Sequence, residues 1–175
     1  MNKKKLFALI ISTLFFSQVT VAGETCNKVG KISGKIRTTN LSDTVQTGSI
    51  WITIKLNRVP FFIRRGRVIG RILEQGVDTN SGQPYAILNH NIFFGFNTVL
   101  ATNRDLALLT PTRFHNGVPC AFDVVEEITD TVGNNLLGAL SNNAGSMVAK
   151  GSISYCPGSN RNSFELSGEV CLDLK

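Results

Sequence analysis

Polar and apolar residues alternate along most of this chain with a period of two, the pattern of half-buried β-strands. The clearest run is "IWITIKL", where Ile50, Ile52, Ile54 and Leu56 share one face and Trp51, Thr53 and Lys55 share the other. "FELSGEVCLDL" repeats it near the end, with Phe164, Leu166, Val170 and Leu172 opposed to Glu165, Ser167, Glu169 and Asp173. In "VGKISGKIR", Gly30, Ile32, Gly34 and Ile36 oppose Lys31, Ser33, Lys35 and Arg37. Runs bounded by turn residues predict eight strands, near 27–39, 47–56, 60–73, 84–94, 98–109, 119–129, 145–156 and 163–174. Between them lie "NLSD", "DTNSGQP", "GFN", "HNGVP" and "PGSNRNS", rich in residues that favour tight turns. Only "TVGNNLLGAL" admits either a short helical turn or a loop.

Eight antiparallel strands with one apolar face have two common solutions, a β-sandwich and a closed β-barrel. A barrel leaves no open edge and encloses either a core or one small ligand. Glycines on the apolar face (Gly30, Gly34, Gly168) suit the bending of barrel strands, so an all-β, eight-stranded antiparallel closed barrel is the expected fold and a β-sandwich the alternative.

The N-terminus departs from this pattern. Lys3, Lys4 and Lys5 precede an apolar run from Leu6 to Phe16, and Thr20 and Ala22 are small enough to flank a signal-peptidase site. The run is shorter than the ~20 residues that span a bilayer. Residues 1–22 therefore read as a signal peptide and 23–175 as a single barrel domain, exported to a secreted or periplasmic location with no transmembrane segment. Three of the charges in the formal net +6 belong to the leader, which leaves +3. That mild excess does not mark a nucleic-acid binder. One local cluster stands out: Arg64, Arg65, Arg67 and Arg71 in "RRGRVIGR" could meet an anionic partner, or could be a solvated strand face that discourages edge pairing.

Cys26, Cys120, Cys156 and Cys171 make an even count, which in an exported chain implies two disulfides. First and last strands of a barrel are neighbours, so Cys26–Cys171 with Cys120–Cys156 is the preferred pairing, and two other connectivities stay open. No Cys-x-x-Cys, zinc-spaced Cys/His cluster, G-x-S-x-G, G-x-G-x-x-G or Walker pattern occurs. No metal and no cofactor are expected.

Candidate chemistry concentrates in "HNIFFGFNTVLATNRDLALLTPT", residues 90–112. A hairpin turning at "GFN" sets His90 opposite Thr102 and Leu88 opposite Arg104. Uninterrupted alternation then places His90 and Arg104 among Leu88, Ile92, Phe94, Leu100, Leu106 and Leu108 on the inner face. Two polar groups on an apolar wall are costly unless paired or wet. One reading is a lumen site, with His90 as a proton shuttle, Arg104 as an anion anchor, and Phe94 and Leu100 beside them. The other is that both reach solvent at the barrel mouth. Asp105 falls on the outer face, where a Lys or Arg would pair it. Asp123, Glu126 and Glu127 stand close together, and a carboxylate pair could do acid–base work. Glu126 shares its parity with Phe122 and Val124, yet a solvated sheet end is the expected place for all three. His115 belongs to an exposed turn.

Residues 85–173 resemble a known group through the His-led hairpin, "TNRDLALLTP", "CAFDVVEEITD", "GSMVAKGSISY" and the closing "LSGEVC". They are similar to small secreted bacterial barrels of the allene oxide cyclase and dirigent superfamily. The resemblance implies an eight-stranded barrel with an apolar lumen, often oligomeric, that shapes a reaction more than it drives one. Three functions follow as expectations. The barrel could bind a small apolar or weakly anionic ligand. It could act as a cyclase- or dirigent-like isomerase in the same lumen. It could instead be a packed-core protein that meets an anionic partner through its basic exterior.

Overall fold

The structure is a computed structural model that describes residues 28–95, 99–128, 131–134 and 146–172. Among these residues are ten strands: β1 (Lys28–Asn40), β2 (Val45–Leu56), β3 (Val59–Val77), β4 (Pro84–Phe93), β5 (Val99–Thr102), β6 (Asp105–His115), β7 (Val118–Ile128), β8 (Thr131–Asn134), β9 (Ser146–Ser154) and β10 (Arg161–Leu172). Eight of them close an antiparallel ring in the order β1, β2, β3, β4, β6, β7, β9, β10, with β10 paired back onto β1. The short β5 and β8 pair with each other outside the ring, and β5 attaches to the far end of β4. The expected closed barrel is therefore the fold, and each of the eight expected strands has its counterpart in the ring.

Local chemistry explains the tight corners. Asn57 and Arg58 join β2 to β3 with φ of 51° and 69°, and Asn116 and Gly117 join β6 to β7 with 51° and 79°. Two successive positive φ values give the turn whose twist matches that of paired strands. Closure also brings backbones close together. A Cβ on Gly34 would stand 2.6 Å from the Trp51 carbonyl oxygen, so only glycine fits on that inner face.

The alternating apolar residues form one core inside the ring, with Ile50, Ile52, Ile54, Val68, Val124 and Leu166 among its buried members. Trp51 and Lys55 point outward as their parity requires. Cys120 and Cys156 form a disulfide, as the preferred pairing requires. The leader and Cys26 lie outside the described residues, as does the Cys171 side chain, so the Cys26–Cys171 pairing does too. Among the described residues no helix is long and apolar enough to cross a membrane. "TVGNNLLGAL" admits a helical turn or a loop by sequence. Its first four residues form β8, and 135–140 lie outside the described residues.

One expected strand is interrupted. The span 98–109 is not continuous; it breaks into β5 and β6 at Asn103 and Arg104. Asn91 pairs with Ala101, which leaves His90 facing Thr102, but Leu88 pairs with Asp105 instead of Arg104. Two residues, Asn103 and Arg104, thus oppose Asn89 alone. Arg104 takes a φ of 56°, and its N–H donates to Asn89 Oδ1 at 2.8 Å. This is a β-bulge, and one extra residue inverts every position that follows. Asp105 turns inward and is buried, while Leu106 and Leu108 turn outward with 38% and 42% of their surface exposed.

The inversion has a measurable consequence. Ile50→Ala is expected to cost roughly 2–5 kcal/mol in urea unfolding, as for a buried aliphatic truncation. Leu108→Ala should cost under about 1 kcal/mol, because its side chain is on the outside. A cost for Leu108→Ala matching that of Ile50→Ala would place Leu108 in the core and contradict the bulge.

Candidate functional site

Four adjacent strand segments build one polar patch on the inner wall. His90 on β4 sits across from Gly70 on β3 on one side and faces Thr102 on β5 on the other. Asp105 opens β6, and Glu126 lies on β7. The cross-strand neighbours of Glu126 are Ala107 on β6 and Ala149 on β9, both buried. Small residues therefore surround the charged ones. A Cβ on Gly70 would stand 3.0 Å from His90 Cδ2 and Nε2, so the missing side chain makes room for the imidazole.

The hydrogen bonds run inward from the backbone. His90 N–H donates to Thr102 Oγ1 at 3.0 Å, and that hydroxyl donates to Asp105 Oδ2. His90 Nδ1–H donates to the same carboxylate oxygen at 3.0 Å. Glu126 Oε1 approaches Nδ1 to 3.3 Å, but outside hydrogen-bonding geometry. The side chains of Asp105 and Glu126 retain 0% and 7% of their surface. That of His90 retains 17%, and the ring borders the internal cavity. Asp105 Oδ1 and Glu126 Oε1 are the buried side-chain polar atoms without a hydrogen-bond partner among the described residues.

The electrostatics follow from burial and crowding. Desolvation pushes His90 toward its neutral form, but the charges of Glu126 and Asp105 and the Asp105 hydrogen bond outweigh it. Its pKa is held above the usual histidine value. Burial raises the Glu126 carboxyl above the ordinary range; His90 opposes that shift and Asp105 adds to it. Among the described residues no Lys or Arg forms an ion pair with either carboxylate. The same three residues, His90, Asp105 and Glu126, each offer a metal-ligating atom, all within 4.8 Å of one another.

This patch borders a cavity of about 380 Å³ inside the barrel. Ile52, Val68, Leu88, Ile92, Phe94 and Leu100 contribute to its apolar wall, and His90, Thr102 and Glu126 contribute polar atoms. Asp105 lies behind that wall, in contact with His90 and Thr102.

Several expected positions change. His90, Phe94 and Leu100 do share the inner wall. Arg104 does not: the bulge turns it outward, where 61% of its side chain is exposed and it pairs with Glu74 at 3.6 Å. Asp105, expected outside, is among the most buried side chains of the protein. Glu126, expected at a solvated sheet end, is buried beside His90, whereas Asp123 and Glu127 are exposed. His115 is exposed. Parity with Phe122 and Val124 was a usable signal for Glu126. No comparable signal marked Asp105, because the bulge rests on a non-glycine residue at positive φ.

The basic cluster divides. Trp51 on the outer face has Arg65 directly beside it on one side and Lys35 on the other, and Arg67 is two pairs further along β3. Arg71 is exposed. Arg64 has the opposite parity, and its guanidinium lies 5.1 Å over the Phe62 ring. A shallow groove on this face gathers Lys35, Arg37, Trp51, Arg65, Lys150 and Glu165.

Compared with protein-family models, curated proteins and solved structures, the chain matches none.

A stability experiment tests the burial of Glu126. Its raised pKa means that the fold disfavours the ionised form. The cost is absent below pH 4.5, grows as pH rises through the folded value, and is constant above it. Glu126→Gln removes that cost. At pH 7.5 in metal-free buffer the variant should melt higher than the parent, by roughly 2–4 °C for each kcal/mol in a domain of this size. The gap should close as pH falls toward 4.5. A variant that melts lower at pH 7.5 would show that the ionised carboxylate stabilises the fold.

Proposed function

We propose that the protein holds a small, largely apolar molecule inside its barrel, with a polar end of that molecule against His90, Thr102 and Glu126. The observation that carries this reading is the cavity of about 380 Å³ at the centre of the core. Its size is that of a small-ligand pocket, and an eight-stranded barrel has room for one such molecule. Among the described residues no Lys or Arg lines it, while Glu126 and Asp43 do. The lining therefore favours an uncharged or cationic polar end over an anion. The resemblance of residues 85–173 to the allene oxide cyclase and dirigent barrels belongs to this proposal. A barrel of that kind would position a reactive molecule in an apolar lumen. An exported location belongs to it as well, supported by the Cys120–Cys156 disulfide and the leader-like residues 1–22.

Neutral 1-aminoanthracene is a suitable probe. Its fluorescence should rise on binding at one site per chain, while an anionic naphthalene sulfonate should bind at least tenfold more weakly. Ala86 is buried on the cavity wall, so Ala86→Leu should weaken the neutral probe by tenfold or more while the barrel still melts cooperatively. Binding that ignores this substitution, or no binding, removes the lumen reading.

A second reading rests on a different feature. Trp51 is 55% exposed, with Lys35 and Arg65 directly beside it and Arg37 in the same groove. An exposed aromatic face flanked by cations suits the ring and acidic groups of an anionic polysaccharide. Trp51 is the chain's single tryptophan, so its fluorescence reports on this groove directly. Heparin should change Trp51 emission at low salt, and the change should fade as salt rises. Arg65→Ser with Arg67→Ser should weaken it several-fold. An unchanged emission at low salt excludes the groove.

A further inference from the structure

We infer that His90, Asp105 and Glu126 bind a first-row divalent cation of the zinc type at the wall of the lumen. This inference stands on the three side chains themselves and does not depend on the lumen ligand.

Spacing is the first support. Bonds of ~2.1 Å from one ion to nitrogen and oxygen ligands hold neighbouring ligand atoms ~3.0–3.4 Å apart in octahedral or tetrahedral geometry. His90 Nδ1 lies 3.0 Å from Asp105 Oδ2 and 3.3 Å from Glu126 Oε1. The ligand atoms of the three residues all fall within 4.8 Å of one another, so a small closure of the carboxylates completes a face.

Unmet bonding capacity is the second. Among the described residues Asp105 Oδ1 and Glu126 Oε1 have no hydrogen-bond partner, and both side chains are more than nine-tenths buried. Among the described residues the barrel satisfies its other buried side-chain polar atoms. Thr38, Gln46, Asn40, Ser154 and Asn162 form a linked network with partners at 2.7–3.1 Å. The orphaned oxygens are therefore confined to the carboxylates around His90. Glu126 Oε1 is aimed at the cluster, since it approaches Nδ1.

Charge is the third. Deprotonated as a ligand set must be, two carboxylates and one neutral imidazole carry a net charge of −2, which a divalent ion cancels. The imidazole gives up its Nδ1 proton to solvent, or binds as the tautomer that lacks it, and the lone pair goes to the ion. One nitrogen with two carboxylate oxygens suits zinc or manganese. Calcium asks for six to eight oxygens. Ala107, Ala149 and Gly70, three of the cross-strand neighbours here, bring no side-chain oxygen, and Thr102 brings one hydroxyl, well short of that number. His90 and Glu126 border the cavity, so the ion could enter from the lumen and complete its shell with water there.

The test uses the full oxidised protein, stripped with EDTA and desalted, then dialysed against zinc chloride. Elemental analysis should find one zinc per chain. Zinc should raise the melting temperature, and the same concentration of calcium chloride should not. Glu126→Gln keeps the shape of the side chain and should fold, but it should lose zinc affinity at least tenfold, as should His90→Asn. His115 is an exposed alternative ligand, so His115→Asn should retain zinc. Failure of the parent protein to retain zinc overturns the site. So does retention by Glu126→Gln at parental affinity, or loss in His115→Asn alone.

Discussion

Side chains on a barrel strand alternate with a period of two, so one inserted residue changes the face of every residue after it. The bulge at Asn103 and Arg104 is that insertion, and the interior depends on it. Without it, Leu106 and Leu108 would fill the lumen and Asp105 would face solvent. With it, Ala107 takes the inward position beside Glu126, and Asp105 reaches His90. The same step sends Arg104 outward to Glu74. A single backbone irregularity thus puts Asp105 and Ala107 inside and turns Leu106 and Leu108 outward. It also opens space where a packed core would have stood. Bulges near functional sites re-aim side chains in this way.

Much of the architecture is legible in the chain. The alternation in "IWITIKL" and "FELSGEVCLDL" marks strands and inner faces, because each side chain there has a clear preference for core or water. Asn116–Gly117 signals a tight hairpin in residue chemistry alone. Cys120 and Cys156 follow from the neighbouring strands. What escapes is register. Asn103 and Arg104 read as two more residues of a strand, since neither Arg nor a following Asp announces a positive φ. On the hairpin before the bulge parity holds: His90, Thr102, Phe94 and Leu100 all lie where it puts them. The parity assignments from Arg104 to Leu108 invert together, which is what one insertion does. Glu126 escaped for a different reason. Its parity pointed inward, but a carboxylate inside a barrel is expensive, and expense alone argued for solvent.

That expense is instructive. Replacing a buried ionic group by a well-packed apolar one is often neutral or stabilising, so such a group is weak support for a stabilising role. Here the barrel surrounds it with Gly70, Ala107 and Ala149, residues that contribute little burial of their own. Larger aliphatic residues at those positions would bury more surface and close the gap. The interior therefore gives up packing in order to hold a charged cluster beside an empty volume.

The two buried polar groups separate structure from function more sharply than position alone. Thr38, Gln46 and Asn162 bring uncharged donors and acceptors in matched pairs, and such a network specifies one arrangement of strands at modest cost. His90, Asp105 and Glu126 bring two acceptor-only carboxylates to one imidazole, whose Nδ1 they both approach. Among the described residues Asp105 Oδ1 and Glu126 Oε1 have no donor, because one nitrogen proton and one threonine hydroxyl are the donors in contact and both go to Asp105 Oδ2. The shortage is one of donors and positive charge, set by residue type. Only a proton, a cation or a ligand from outside the cluster can supply it, and two of its residues, His90 and Glu126, border the cavity from which that supply would come.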